Sequence, residues 1–205
     1  MLGVCIVCQC YHVGDLAICR DCEALLERMV GMYENSAIEF SCLWQRFHSL
    51  GIYRSPLDAL LRRGKYQEDL TTLKTLGRLL AKSLSTVKYE QRAAILPIPM
   101  SHGRFVARGY NQAAVIAREV ARQLAMPYID NIVRHTGNAG IQHELSRQAR
   151  KRNMRQAFEI MKPPPKRLCI VDDIYTTGAT MQAICRILRQ AGCEYIEIWL
   201  IAKTL

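Results

Sequence analysis

The stretch Leu168-Cys169-Ile170-Val171-Asp172-Asp173-Ile174-Tyr175-Thr176-Thr177-Gly178-Ala179-Thr180 decides how the chain is read. An apolar run of strand length ends in two adjacent acids, and a short loop of hydroxyl residues and glycine then opens a helical pattern. Two acids at the C-terminal end of a strand can hold a ribose diol and sit near Mg²⁺. Thr176, Thr177, Gly178, Ala179 and Thr180 offer hydroxyls and closely spaced backbone N–H groups to a phosphate at the helix N-terminus. The ligand implied is a ribose 5-phosphate group. An ordinary strand-to-helix turn capped by Asp and Thr is the competing reading.

The arrangement resembles the phosphoribosyl pyrophosphate (PRPP) loop of type I phosphoribosyltransferases over the whole segment. Other phosphate motifs fit badly. No GxxxxGK[ST] occurs, no GxGxxG follows a strand, and Asp172 and Asp173 are adjacent rather than spaced as the D-x-D of aspartate-nucleophile phosphatases.

Working outward, 205 residues with 50% apolar content are enough for one domain of ordinary size plus a small appendage. The longest apolar stretches, such as Tyr195 to Ala202, are of strand length, and Met1 to Cys10 has no basic n-region or cleavage site. No membrane insertion and a cytoplasmic location are therefore expected. A formal charge of +10 favours contact with polyanions, without choosing between nucleic acid and anionic metabolites.

Nine cysteines without a signal sequence argue for metal binding or buried thiols rather than a disulfide framework. Cys5-x2-Cys8 and Cys19-x2-Cys22 form two knuckles that can present four thiolates tetrahedrally to one Zn²⁺. So short a segment has little core of its own, so a metal there would be structural and would supply much of the folding energy. A cluster of reduced buried thiols and a redox CxxC are the alternatives. Cys10 and His12 stand close enough to replace a knuckle cysteine. Cys42, Cys169, Cys185 and Cys193 sit at apolar positions and read as core.

Helical spacing is expected over Glu23 to Met32, and Ser36 to Tyr53 alternates loosely with aromatic bulk at Trp44, Phe47 and Tyr53. A boundary is placed near residue 50, giving an N-terminal unit and connector of 1–50 and a second domain of 51–205. Leu70, Leu73, Leu76, Leu80 and Leu84 share one face of a helix. Ala94 to Ile98 reads as a buried strand, and Ala113 to Leu124 as a helix capped by Asn111. A strand around Tyr128 to Ile132 follows. A helix from Thr180 to Ala191, closed by Gly192, precedes a last strand from Tyr195 to Ile201. Strands alternating with helices imply a parallel sheet with its ligand at the strands' C-terminal edge.

Two basic regions accompany the acid-pair loop. Arg104 and Arg108 lie on the stretch between Pro97-Ile98-Pro99 and the Ala113 helix, where a second phosphate can dock; two solvated arginines are the alternative. The type I phosphoribosyltransferase resemblance assigns them pyrophosphate and makes Gly109 a turn residue. Further on, Gln142, Ser146, Arg147, Arg150, Asn153 and Arg155 recur mostly at three- and four-residue intervals beside Lys151 and Arg152. This stripe can cover PRPP as a hood, bind a nucleic-acid backbone, or face water. Arg62, Arg63 and Lys65, just before Tyr66, form another basic cluster.

The two Cys pairs, Pro97-Ile98-Pro99, Arg108-Gly109-Tyr110-Asn111-Gln112, Gln142 to Asn153 with Ala157-Phe158, and Val171-Asp172-Asp173 to Thr180, in this order, resemble the ComF/GntX competence family. The resemblance implies an α/β fold with a type I phosphoribosyltransferase-like parallel sheet flanked by helices, joined to a small N-terminal four-cysteine zinc-finger domain. It implies action in the cytoplasm during natural transformation, on imported single-stranded DNA. Structural Zn²⁺ at Cys5, Cys8, Cys19 and Cys22, Mg²⁺ with PRPP, and contacts with other competence or DNA-processing proteins are expected on this ground. Single-stranded DNA is assigned to Arg147, Arg150, Lys151 and Arg155.

An active phosphoribosyltransferase of nucleotide salvage or synthesis is the other reading. The donor half is visible, whereas no acceptor-activating group is: the five histidines lie outside the acid-pair loop, with His102 and His143 the weak candidates. Trp199 to Leu205 follows directly on the last strand and is expected to leave no room for a segment that selects a nucleobase.

Overall fold

The computed structural model describes residues 2–31, 42–86, 89–136 and 157–204. A hairpin of β1 (Leu2–Val4) and β2 (Tyr11–Val13) leads into α1 (Arg20–Gly31). After it come β3 (Arg46–Ile52), α2 (Leu57–Tyr66), α3 (Leu70–Ser85) and β4 (Ala94–Pro97). The chain continues through α4 (His102–Arg108), α5 (Gln112–Leu124), β5 (Val133–His135) and β6 (Phe158–Ile160). It closes with β7 (Arg167–Tyr175), α6 (Ala179–Gln190) and β8 (Tyr195–Lys203).

The central sheet has the order β3-β8-β7-β4, and every pairing in it is parallel. Its two inner strands read as nearly continuous apolar runs because helices cover both faces. Alternation then sorts the side chains. Cys169, Val171, Trp199 and Ile201 join Leu73, Leu76 and Leu80 of α3 and Ile116 and Val120 of α5. Leu168, Ile170, Ile198 and Leu200 join Ile184, Cys185 and Leu188 of α6. The one acid within β8, Glu197, is buried but satisfied. It accepts from the Tyr195 hydroxyl at 2.8 Å, Trp199 Nε1 at 3.0 Å and the Glu90 N–H at 3.0 Å, which offsets the cost of desolvating a carboxylate.

The leucine face of α3 is as expected, with Leu73, Leu76, Leu80 and Leu84 buried; Leu70, at the first turn, stays partly exposed. Asp69 caps this helix by accepting from the Thr72 N–H at 2.9 Å. Asn111 caps α5, taking the Ala113 N–H at 3.0 Å and donating to the Ile98 carbonyl at 2.8 Å. Gly77 lets α3 and α5 approach closely, since a Cβ there would stand 3.0 Å from the Ile116 carbonyl oxygen. Gly192 follows α6 with φ 97°, the left-handed turn its position predicts.

Residue 50 lies within β3, whose register with β8 runs from Arg46↔Glu197 to Ile52↔Lys203. Three expectations are corrected. The strand expected at Tyr128 to Ile132 is a single parallel bridge of Tyr128 to Ile95, because the segment turns off to pair Val133 to His135 with Phe158 to Ile160 outside the main sheet. Cys42 is exposed, unlike the buried Cys169, Cys185 and Cys193. Asp172 and Asp173 do not end their strand, since β7 stays paired with β8 through Tyr175↔Lys203.

The N-terminal segment packs on the same core. Cys5, Ile6, Ile18, Cys22 and Leu26 belong to the cluster of α3 and α5. Polar contacts fasten it as well: Arg63 Nη1 donates to the Ile6 carbonyl at 2.7 Å, Arg78 Nη1 to the Asp15 carbonyl at 2.9 Å, and Lys82 pairs with Glu23 at 2.7 Å.

Candidate functional site

The acid pair emerges at a notch in the sheet. β4 pairs with β7 only as far as Pro97↔Val171, where the Ile98 N–H closes the ladder on the Val171 carbonyl at 2.9 Å. Beyond Val171, β7 continues beside β8 alone among the described residues. At this point the connections diverge, β4 running on to α5 on one face and β7 to α6 on the other. Such a switch point, outside the carboxyl ends of parallel strands, is where open α/β sheets take their ligands.

Asp172 Oδ1 accepts the Asp173 N–H at 2.8 Å. Burial, and then the neighbouring Asp173 carboxylate, raise the Asp172 carboxyl well above the usual carboxylate range, opposed by that N–H and by the charge of Lys65. A buried carboxyl beside a second acid is a place that favours positive charge. Asp173 already has some, since Lys65 Nζ stands 2.8 Å from its Oδ2.

After Tyr175 the chain turns into α6. Thr176 and Thr177 are exposed, with Thr177 Oγ1 3.5 Å from the Ala179 N–H, and Ala179 and Thr180 begin α6 half-buried. Gly178 stands at the N-cap with φ 71° and ψ 0°. The buried Tyr175 ring lies against it, so that a Cβ on Gly178 would overlap the Tyr175 hydroxyl. Only glycine meets both demands, a left-handed backbone and a ring in the Cβ position.

The stretch after β4 carries the two arginines and Gly109. Arg104 is exposed on α4, and its charge, after burial, lowers the His135 pKa. Arg108 ends the helix, donating from Nη1 to Gln112 Oε1 at 3.2 Å, with its guanidinium 5.7 Å from the Tyr66 ring centroid. Gly109 takes φ 75° and returns its N–H to the Phe105 carbonyl at 2.7 Å, the turn role expected of it. The Tyr110 hydroxyl donates to the Gly64 carbonyl.

The last turn of α2 thus touches both Tyr110, just after α4, and Asp173 within β7, a juxtaposition the sequence concealed. Lys65 figured there only as part of a basic cluster. Each member of that cluster is engaged: Arg62 with Asp58 at 2.6 Å, Arg63 with Asp69 at 2.6 Å, and Lys65 with Asp173. In the sequence, Gln112 figured only as the last residue of a motif. It is 2% exposed, and its Nε2 has no hydrogen-bond partner while its Oε1 serves Arg108. The stripe of Arg147, Arg150, Lys151 and Arg155 lies outside the described residues.

In the N-terminal segment, the sulfurs of Cys5, Cys8, Cys19 and Cys22 all lie within 4.8 Å of one another. Cys8 Sγ and Cys19 Sγ are 3.7 Å apart. A tetrahedral Zn–S distance of about 2.3 Å puts neighbouring sulfurs about 3.8 Å apart, so this edge fits such a metal. The knuckle is shaped by backbone bonds: the Cys5 N–H reaches the Cys10 carbonyl at 2.9 Å, the Gln9 N–H the Cys5 carbonyl at 2.9 Å, and the Val7 N–H the Cys5 sulfur at 3.4 Å. Burial raises the Cys5 thiol, but the surrounding N–H groups outweigh it and bring the pKa to about 6. Burial and then the other three sulfurs push Cys22 up. Four sulfurs gathered this closely are the donor set of a tetrahedral metal centre. The cluster could hold a metal such as zinc. Cys10 stays exposed, its Sγ 3.8 Å from the Cys8 carbonyl, and neither it nor His12 belongs to the group.

Comparison with known proteins agrees with this architecture. Residues 110–204 match the family model described as Phosphoribosyl transferase domain. Over 98% of its length the chain is 31% identical to Competence protein F of Haemophilus influenzae, covering 90% of that protein. It is 28% identical to the DNA utilization protein YhgH of Escherichia coli K12, covering 99% of this chain and 91% of that one. It is also 27% identical to Competence protein ComFC of Bacillus subtilis, over 86% of this chain and 68% of that protein.

Proposed function

This chain belongs to the ComF family of competence proteins, and we propose that it binds PRPP with Mg²⁺ in the crevice between the loops after β4 and β7 and takes part in DNA uptake. The observation that carries the ligand is the order of groups at the end of β7. An acid pair suited to a ribose diol is followed by a glycine turn whose Cβ space is filled by Tyr175, and then by the start of α6. In this reading Asp172 and Asp173 hold the ribose, and Thr176 to Thr180 hold the 5-phosphate on hydroxyls and backbone N–H groups. Arg104 and Arg108 meet the diphosphate. Mg²⁺ would add charge neutralisation of that diphosphate beside the acid pair.

The DNA role rests on the relatives named for competence and for DNA utilization, together with the net charge of +10. Single-stranded DNA is assigned to Arg147, Arg150, Lys151 and Arg155, the four-cysteine centre to structural zinc, and the protein to the cytoplasm. Transferase chemistry is the second reading, favoured by the phosphoribosyl transferase match over 110–204. Calorimetry with Mg²⁺ and PRPP on the folded protein tests the binding claim, which fails if no heat appears at millimolar ligand. Pyrophosphate release with a panel of nucleobases then separates the readings, since sustained turnover with any base would make the protein an enzyme.

A further inference from the structure

Helix α2 enters the crevice by a single turn. Gly64 accepts from Tyr110, Tyr66 lies under Arg108, and Lys65, between them, reaches across to Asp173. The Lys65 and Asp173 side chains are only 19% and 13% exposed, so the pair is largely withdrawn from water. An ammonium is a compact point charge, and it seeks the same carboxylate oxygens that a hard divalent cation does. A cation that binds Asp173 Oδ2 must therefore contend with Lys65 Nζ, which stands 2.8 Å from it.

We infer that Lys65 is the internal counter-ion of the acid pair and competes with a divalent cation for Asp173. This deepens the PRPP reading and rests on it for the ligand that accompanies the cation. A divalent ion arriving alone must displace the ammonium and leave it in a half-buried crevice without a partner. A cation arriving with a diphosphate brings negative charge to which the released ammonium can turn. Lys65 thereby makes cation binding conditional on the diphosphate, and discriminates against bare metal ions at a site whose two carboxyls would otherwise attract them.

The test uses the full-length protein with its four-cysteine centre loaded with zinc, and Mn²⁺ alone as a paramagnetic probe titrated by electron spin resonance. Lys65→Met should tighten Mn²⁺ by about tenfold, the effect of removing one unit charge from a partly buried position. Lys65→Gln serves the same purpose should the methionine variant fail to fold. Adding Asp173→Asn to either variant should abolish the gain, which places the bound ion on this carboxylate. An unchanged or weaker Mn²⁺ affinity in the folded Lys65 variants, or a gain that survives Asp173→Asn, overturns the inference. PRPP calorimetry on the wild type fails or succeeds independently. Tightened Mn²⁺ with no PRPP binding would remove the PRPP reading and leave the counter-ion in place, whereas PRPP binding with unaltered Mn²⁺ affinity would do the reverse.

Discussion

Tyr175 lies across Gly178, its hydroxyl occupying the space a Cβ at that position would need. The ring is itself pinned, packing edge-on to Phe47 with centroids 5.1 Å apart and 8% of its surface exposed.

Gly178→Ala should therefore be costly twice over. A left-handed φ of 71° costs an L-residue about 1–2 kcal/mol, and the methyl must also push the tyrosine aside. A lowered thermal midpoint together with lost PRPP binding is expected by calorimetry. The losses from Gly178→Ala and Tyr175→Ala should be less than additive when combined, because the second removes the overlap but not the backbone strain.

Stability should fall on acidification in two separate windows. Burial holds His48 neutral, its pKa lowered to about 4 with Nε2 3.0 Å from Ser83 Oγ. The unfolded chain takes up that proton first, so the contribution is full above about 6.5 and lost as pH falls toward 4. Glu119 resists burial through hydrogen bonds from Arg122, Gln123 and Arg78, which bring its pKa to about 2. Its contribution is full above about 4.5 and lost as pH falls through 2. Each is worth on the order of 2–3 kcal/mol. Urea unfolding from pH 7 to pH 2 should show both steps, with His48→Gln flattening the upper and Glu119→Gln the lower.

One tightly bound zinc per chain is expected by elemental analysis, lost when Cys19→Ser and Cys22→Ser are combined. Because Cys5, Ile6, Ile18 and Leu26 share a core with α3 and α5, chelation should also weaken the sheet body. A lowered and still single thermal transition is the expected result. A sheet transition unmoved by chelation would mean that the two parts fold independently.

For single-stranded DNA, affinity should fall steeply with salt and depend little on base sequence, as backbone contacts releasing counterions require. Replacing Arg147, Arg150 and Arg155 together with Gln should make the salt slope shallower while zinc content stays unchanged. Lost PRPP binding with intact DNA affinity would instead assign the stripe to the metabolite.

Much of this protein is written locally in its chain. The glycine turn before α6, the cysteine knuckles, the leucine face of α3 and the Asn111 cap each depend on residues a few positions apart, so spacing and residue type specify them. Where pairing partners are distant, sequence was a poorer guide. Asp172 and Asp173 lie inside a strand because β8 continues beside them to Lys203, and Arg46 to Ile52 joins the sheet because β8 lies ready to pair with it. Lys65 illustrates the limit best. Nothing near it in sequence says that its ammonium will sit on Asp173, since that contact exists only once β3 and β7 share a sheet with β8 between them and α2 returns over their C-terminal edge. Backbone turns and metal knuckles are short-range geometry. The charge balance of the crevice is a sum over elements that only the folded sheet brings together.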